Sequence, residues 1–205
     1  MGAAPQVLIL SGFLGSGKTT LLVRLVNHLR AKHGEDYRIA IVENEIGSVS
    51  VDTGIIGDAG YSVTEILAGC VCCTLIGQLV PALAKLREEL DPNLIILEAT
   101  GVATPDTMRR NIEKYAEYPV RVATLVDASR WQKIILALRM LLEAQVEPAD
   151  VLCVTKTDLV DEATIAEVET QVREFNATAP FVHMSADVEP DDAFFAQIMG
   201  EETAA

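Results

Sequence analysis

The chain has 205 residues, half of them hydrophobic and only 5% aromatic, with a formal net charge of −14 and a pI near 4.5. That length suits one α/β domain whose Val, Ile, Leu and Ala content can build a parallel sheet buried on both faces. So acidic a surface repels nucleic acid and anionic membranes and draws cations or basic partners, and no apolar run reaches the roughly 18 residues of a membrane span.

Met1-Gly2-Ala3-Ala4-Pro5 has neither the charged n-region nor the apolar core of a signal peptide. Gln6 occupies the position where a myristoylation signal carries Ser or Thr. A cytoplasmic location is expected, where thiols stay reduced, so the four cysteines are read as metal-binding, reactive or buried.

In chain order, Val7–Leu10 is an apolar strand, followed by Ser11-Gly12-Phe13-Leu14-Gly15-Ser16-Gly17-Lys18-Thr19-Thr20 and a helix that stops at Gly34. Arg38–Val42 reads as a second strand running into Glu43-Asn44-Glu45-Ile46-Gly47 and a polar region through Gly60. Tyr61–Leu67 alternates like a short strand; Gly69-Cys70-Val71-Cys72-Cys73 and a helix over 75–90 come next. Leu94–Leu97 is a strand ending at Glu98, 105–116 a helix, and Val120–Val126 a strand ending at Asp127. A helix over 129–144, a buried strand Val151–Val154, a helix over 161–175, a strand Phe181–Met184 and a short helix over 190–199 complete the pattern. The alternation predicts an α/β fold with a mostly parallel sheet covered on both faces, and a single domain over 1–205. Ligands of such sheets sit at the carboxyl ends of the strands, so Ser11, Glu43, Glu98, Asp127, Thr155 and Ser185 are expected on one rim.

The glycine-rich stretch has the P-loop spacing G-x4-G-K-T between a strand and a helix. Glycines let the backbone curl its N–H groups around a phosphate, and the helix N-terminus adds its positive dipole end. Gly12, Gly15, Ser16, Gly17, Lys18, Thr19 and Thr20 are therefore nucleotide-binding candidates. Lys18 is placed on the β- and γ-phosphates and the Thr19 hydroxyl on Mg²⁺. Glu98 closes an apolar strand in the manner of a Walker B acid and faces the same Mg²⁺, directly or through water. Ala99-Thr100-Gly101 behind it is expected near the γ-phosphate.

Thr155-Lys156-Thr157-Asp158 has the form of the guanine-reading N-K-x-D, with Thr for Asn. Asp158 would accept from guanine N1–H and the 2-amino group, the Lys156 stem would lie along the base, and Ser185-Ala186 would form the base-side loop; adenine would leave the carboxylate unpaired. The competing role is that Thr157-Asp158 caps the next helix. Cys70, Cys72 and Cys73 form a compact soft-ligand loop that leaves a tetrahedral Zn²⁺ one open position; a redox pair or a plain apolar turn are the alternatives. Glu43, Glu45 and Asp52 are candidates for Mg²⁺ ligation, for positioning the attacking water, or for a fourth metal ligand. Cys153 is read as a buried small hydrophobe. His28 and His33 lie near the end of the first helix, and His183 is expected in the core.

Taken together, Gly12–Thr20, Glu43–Gly47, Gly69–Cys73, Glu98–Gly101 and Thr155–Asp158 resemble the CobW family of P-loop GTPases, relatives of UreG and HypB. The resemblance implies a three-layer P-loop NTPase fold and a dimer-prone GTPase in which nucleotide state controls metal binding or delivery to a client metalloprotein. It implies Cys70, Cys72 and Cys73 as the loop for Zn²⁺ or another thiophilic metal, and Glu45 as an acidic switch residue near Mg²⁺. With Lys18 and Glu98, Glu45 completes the expected catalytic set. The smaller C-terminal domain of the family is not expected within these 205 residues, nor is a His-rich tract present. A GTPase that remodels or reactivates a metallo- or corrinoid-protein partner is the alternative activity.

Overall fold

A computed structural model describes residues 4–34, 36–43, 62–63, 76–99 and 104–201, at 43, 62–63 and 76–78 by backbone alone. Among these the strands are β1 (Gln6–Gly12), β2 (Ile39–Glu43), β3 (Ser62–Val63), β4 (Leu94–Glu98), β5 (Val120–Asp127), β6 (Val151–Thr155) and β7 (Phe181–Met184). The helices are α1 (Lys18–His33), α2 (Ile76–Leu90), α3 (Pro105–Tyr115), α4 (Trp131–Val146), α5 (Glu162–Arg173) and α6 (Asp192–Met199). All strand pairs are parallel, in the order β3-β2-β4-β1-β5-β6-β7.

The two-residue period of a strand sends alternate side chains to opposite faces. Leu8 and Leu10 of β1 join Leu21, Leu22, Leu25 and Leu29 of α1 and Phe194, Phe195 and Ile198 of α6. Val7 and Ile9 join Leu79, Leu83 and Leu86 of α2 and Met108 and Ile112 of α3. Farther along the sheet Val126 and Leu152 pack with Trp131, Ile135, Leu142 and Val146 of α4 and Val168 and Val172 of α5. The result is three layers, helices on both faces of the sheet, which is why β1, β4 and β6 read as unbroken apolar runs. Burial of each such Leu or Ile contributes about 2 kcal/mol.

Most elements lie where the sequence puts them, and the differences have local causes. β1 extends from Gln6 to Gly12, beyond its apolar run, because β4 and β5 flank it and carry the ladder as far as Gly12 opposite Leu125. α4 begins at Trp131 rather than 129 because the Asp127 carboxylate folds residues 127–130 into a turn, accepting from Ser129 N and from its hydroxyl. Of Tyr61–Leu67, Ser62–Val63 pairs with Ala40 and Ile41; the remainder lies outside the described residues. His183 is not in the core: its side chain is half exposed and pairs with Glu169 at 2.7 Å, because its position on β7 points away from the buried Val182 and Met184 side chains. Among the described residues no helix is long and apolar enough to cross a membrane.

Candidate nucleotide site

Because every strand runs the same way, their carboxyl ends form one rim. Registers place Glu43 opposite Glu98, Leu10 opposite Glu98, Asp127 opposite Thr155, and Thr155 opposite Met184. β1 lies between β4 and β5, and the loop that leaves it crosses the middle of the rim.

That loop is shaped by backbone geometry only glycine tolerates. Gly12 has φ +132°, and a Cβ there would lie 2.5 Å from Leu125 O. Gly17 caps α1 at φ 98° with no side-chain hydrogen bond, and the first turn carries no acid. In contrast, α5 and α6 are capped by Asp161 and Asp191, each accepting a backbone N–H at 2.8 Å. An N-terminus without a side-chain cap or an acidic first turn is suited to an external anion. Lys18 is buried, and its Nζ donates to Gly12 O at 2.9 Å and Phe13 O at 3.3 Å, so the ammonium sits inside the curl. Burial pulls its pKa below the ordinary lysine value, and the nearby Glu98 charge partly opposes this. Thr19, exposed in the first turn, donates from Oγ1 to Glu98 Oε1 at 3.4 Å, joining the loop to the end of β4. Thr20 is exposed one residue on.

On the other side of β1, Thr155 is 1% exposed and donates to Ser16 O at 2.8 Å, so its hydroxyl supports the loop from behind. Lys156 has left-handed backbone, φ 59° and ψ 36°, and its ammonium lies 2.7 Å from Asp127 Oδ2. Asp158, exposed in a 3₁₀ turn, accepts from Ala186 N at 3.0 Å. It does not cap a helix; that role belongs to Asp161. A carboxylate acceptor and an amide donor therefore meet at the edge of the rim, with the Ser185 hydroxyl beside them accepting from Val188 N at 3.1 Å.

Three side chains in this arrangement were not singled out by motif. Arg24 on α1 reaches the carbonyls of Ser185 (2.9 Å), Ala186 (3.2 Å) and Val188 (3.4 Å) and pins the base-side loop to the phosphate-side helix. Asp127 is buried, and Arg130 joins it to Leu14 O. The only sequence signal was an acid at a strand end; the links from Arg130 to Leu14, from Asp127 to Lys156 and from Arg24 to its carbonyls join positions distant in sequence and met through the fold. Glu45, Asp52, Cys70, Cys72, Cys73, Thr100, Gly101 and the side chain of Glu43 lie outside the described residues.

The model of the CobW/HypB/UreG nucleotide-binding domain matches residues 6–183. This chain belongs to that family. Zinc chaperone YjiA of Escherichia coli (strain K12) is 35% identical over 184 residues, covering 85% of this chain and 55% of the relative. Zinc-regulated GTPase metalloprotein activator 1 of Dictyostelium discoideum is 29% identical over 226 residues, covering 90% of this chain and 46% of the relative. The chain thus spans about half the length of the curated relatives it matches. HypB from Helicobacter pylori, solved in complex with nickel, superposes with a TM-score of 0.66 at 19% identity, over 96% of this chain and 85% of that one. At that identity the likeness establishes the fold, a three-layer P-loop architecture.

Proposed function

We propose that the chain is a GTP-binding and GTP-hydrolysing metallochaperone domain in which nucleotide state controls metal binding at the Cys70–Cys73 loop. The observation that carries the nucleotide half is the meeting, on one rim, of a glycine curl enclosing Lys18 and an Asp158–Ala186 donor–acceptor edge.

The residues divide the work by charge. The loop amides and Lys18 take the β- and γ-phosphates; the ammonium is already desolvated and directed inward. Thr19 and Glu98 bring two hard oxygens within 3.4 Å of each other, a donor set that fits Mg²⁺. When bound, that ion neutralises charge on the phosphate oxygens. Asp158 exchanges its Ala186 partner for guanine N1–H and the 2-amino group, and the released Ala186 N–H turns to the guanine oxygen. Adenine offers no such exchange and leaves the carboxylate unpaired. Glu45 is assigned to the attacking water from sequence alone.

The metal half rests on three thiols within four residues and on relatives named as zinc chaperones and a metalloprotein activator. Zinc is therefore the proposed cargo, and a client metalloprotein its destination. The test is an anaerobic Zn²⁺ competition titration of the apo protein, the Mg²⁺–GDP form and the form with a non-hydrolysable GTP analogue. A change of about tenfold between nucleotide states, about 1.4 kcal/mol of coupling, is expected, and Lys18→Ala abolishes it. Equal affinities in all three states overturn the switch and favour a GTPase that acts on its partner without carrying metal.

A further inference from the structure

The Asp127 carboxylate, at the end of β5, is met by four donors. Its side chain is 2% exposed. Oδ1 accepts from Ser129 N at 3.1 Å and Ser129 Oγ at 2.6 Å. Oδ2 accepts from Arg130 Nε and Lys156 Nζ, both at 2.7 Å. Two of these donors belong to different halves of the site. Lys156 is the central residue of the base motif, held in left-handed backbone that costs a non-glycine residue about 1 kcal/mol. Arg130 extends the other way: its Nη2 donates to Leu14 O at 2.7 Å and lies 3.1 Å from where a Gly15 Cβ would be. Its guanidinium therefore packs directly on the phosphate loop at Gly15, φ +74°, which has no side chain to displace it.

We propose that Arg130 is a positioning residue of the phosphate loop, and that Asp127 is the shared anion through which base reading and phosphate holding are set together. This rests on the nucleotide reading above. The geometry requires a guanidinium. One end binds the carboxylate through Nε while the other binds a carbonyl of the loop through Nη2, a span preset by the planar fork, whereas a lysine ammonium gathers all its donors at one atom. Fixing Leu14 O orients the adjoining peptide, and with it the amides that enclose phosphate. Asp127 then has two separable effects: through Arg130 on the phosphates, and through Lys156 on the base.

The separation is what an experiment reads. Affinity for GDP and for IDP, which lacks the 2-amino group read by Asp158, is measured by displacement of a fluorescent GDP, with circular dichroism as the check on folding. Arg130→Ala and Arg130→Lys are both expected to weaken GDP about tenfold, the loss of one charge-assisted hydrogen bond. Both leave the GDP-to-IDP ratio unchanged and move the ³¹P resonance of the bound β-phosphate. Asp127→Asn lowers the affinity and also the ratio, and adding Arg130→Ala to it costs little more, because the two act as one unit. An Arg130→Lys variant with wild-type affinity overturns the proposal. So does an Arg130→Ala variant within about twofold of wild type, or one that loses GDP and the ratio together. A wild-type protein that shows no saturable GDP binding overturns the nucleotide reading itself, and is distinguished by failing before any variant is compared.

Discussion

Thr155→Val separates support of the loop from recognition of the base. The substitution keeps the branched shape of a residue that is 1% exposed and removes one hydroxyl. That hydroxyl donates to Ser16 O at 2.8 Å and lies 3.3 Å from Val126 O, joining β6 to the phosphate loop and to β5. A buried hydrogen bond of this kind is worth about 1–2 kcal/mol when one partner is lost and the other stays buried. For a domain of this size that lowers the melting temperature by about 3–6 °C. Urea unfolding followed by circular dichroism should show a lower midpoint at unchanged slope, since no additional surface is exposed. GDP binding weakens with the loosened loop, but preference for GDP over IDP stays, because the hydroxyl points at the loop and not outward. A stability loss below about 0.3 kcal/mol with a collapsed GDP-to-IDP ratio refutes the reasoning, since it places the hydroxyl on the base.

Gly12→Ala should be among the most damaging single substitutions: the new Cβ would stand 2.5 Å from Leu125 O at φ +132°, a cost of about 3 kcal/mol or more, read as a large fall in the denaturation midpoint. Asp127 supplies a pH signature. Burial pushes its carboxyl up, but hydrogen bonds from Lys156, Ser129 and Arg130 and the Lys156 charge outweigh that and hold it below the ordinary aspartate value. The unfolded chain therefore takes the proton first. The stabilisation is present above the ordinary carboxylate range near 4 and is lost as pH falls through the depressed folded value; the Asp127→Asn variant should show a flatter midpoint-versus-pH curve there. Cys153 is fully buried, and burial pushes its thiol up to about 12. Peptide mapping after alkylation at pH 8 should find it unmodified in the native protein and modified after denaturation.

The layers and the loop were legible because each is written locally. Apolar runs such as Leu94–Leu97 and Val151–Val154 fix strands buried on both faces, and Gly12, Gly17 and Lys18 mark a turn that few other residue types tolerate. The rim followed from the alternation of strand and helix, which demands parallel strands and so gathers their carboxyl ends. What remained illegible is tertiary. Arg24 is one basic residue on an amphipathic helix, and nothing near it in sequence announces carbonyls 161 to 164 positions away. Arg130 gives no sign that its target is Leu14, 116 positions back. The same limit explains His183: an apolar strand pattern suggests burial, but β7 is the edge strand among the described residues, and there the alternate face meets solvent and Glu169.

The distribution of buried polar side chains indicates where the fold accepts an energetic penalty. Of the eight such residues among those described, Ser11, Ser16, Lys18, Asp127 and Thr155 lie at the phosphate loop or the strand ends that support it. Desolvating these groups costs energy that apolar side chains would not, and the fold recovers part of it internally: Lys18 on two carbonyls, Thr155 on a third, Asp127 on four donors. These partners are unequal. Asp127 is matched by full positive charges, whereas Lys18 donates to neutral carbonyl oxygens. In the proposed nucleotide reading, a phosphate arriving at Lys18 replaces weak partners by a full negative charge, at an ammonium already buried. A solvated lysine would first have to be dehydrated and ordered, and that cost would come out of the binding energy. On that reading the preformed loop favours anions through a desolvation made at folding, while the Asp127 cluster, met by four donors, holds the geometry in which that preference is expressed.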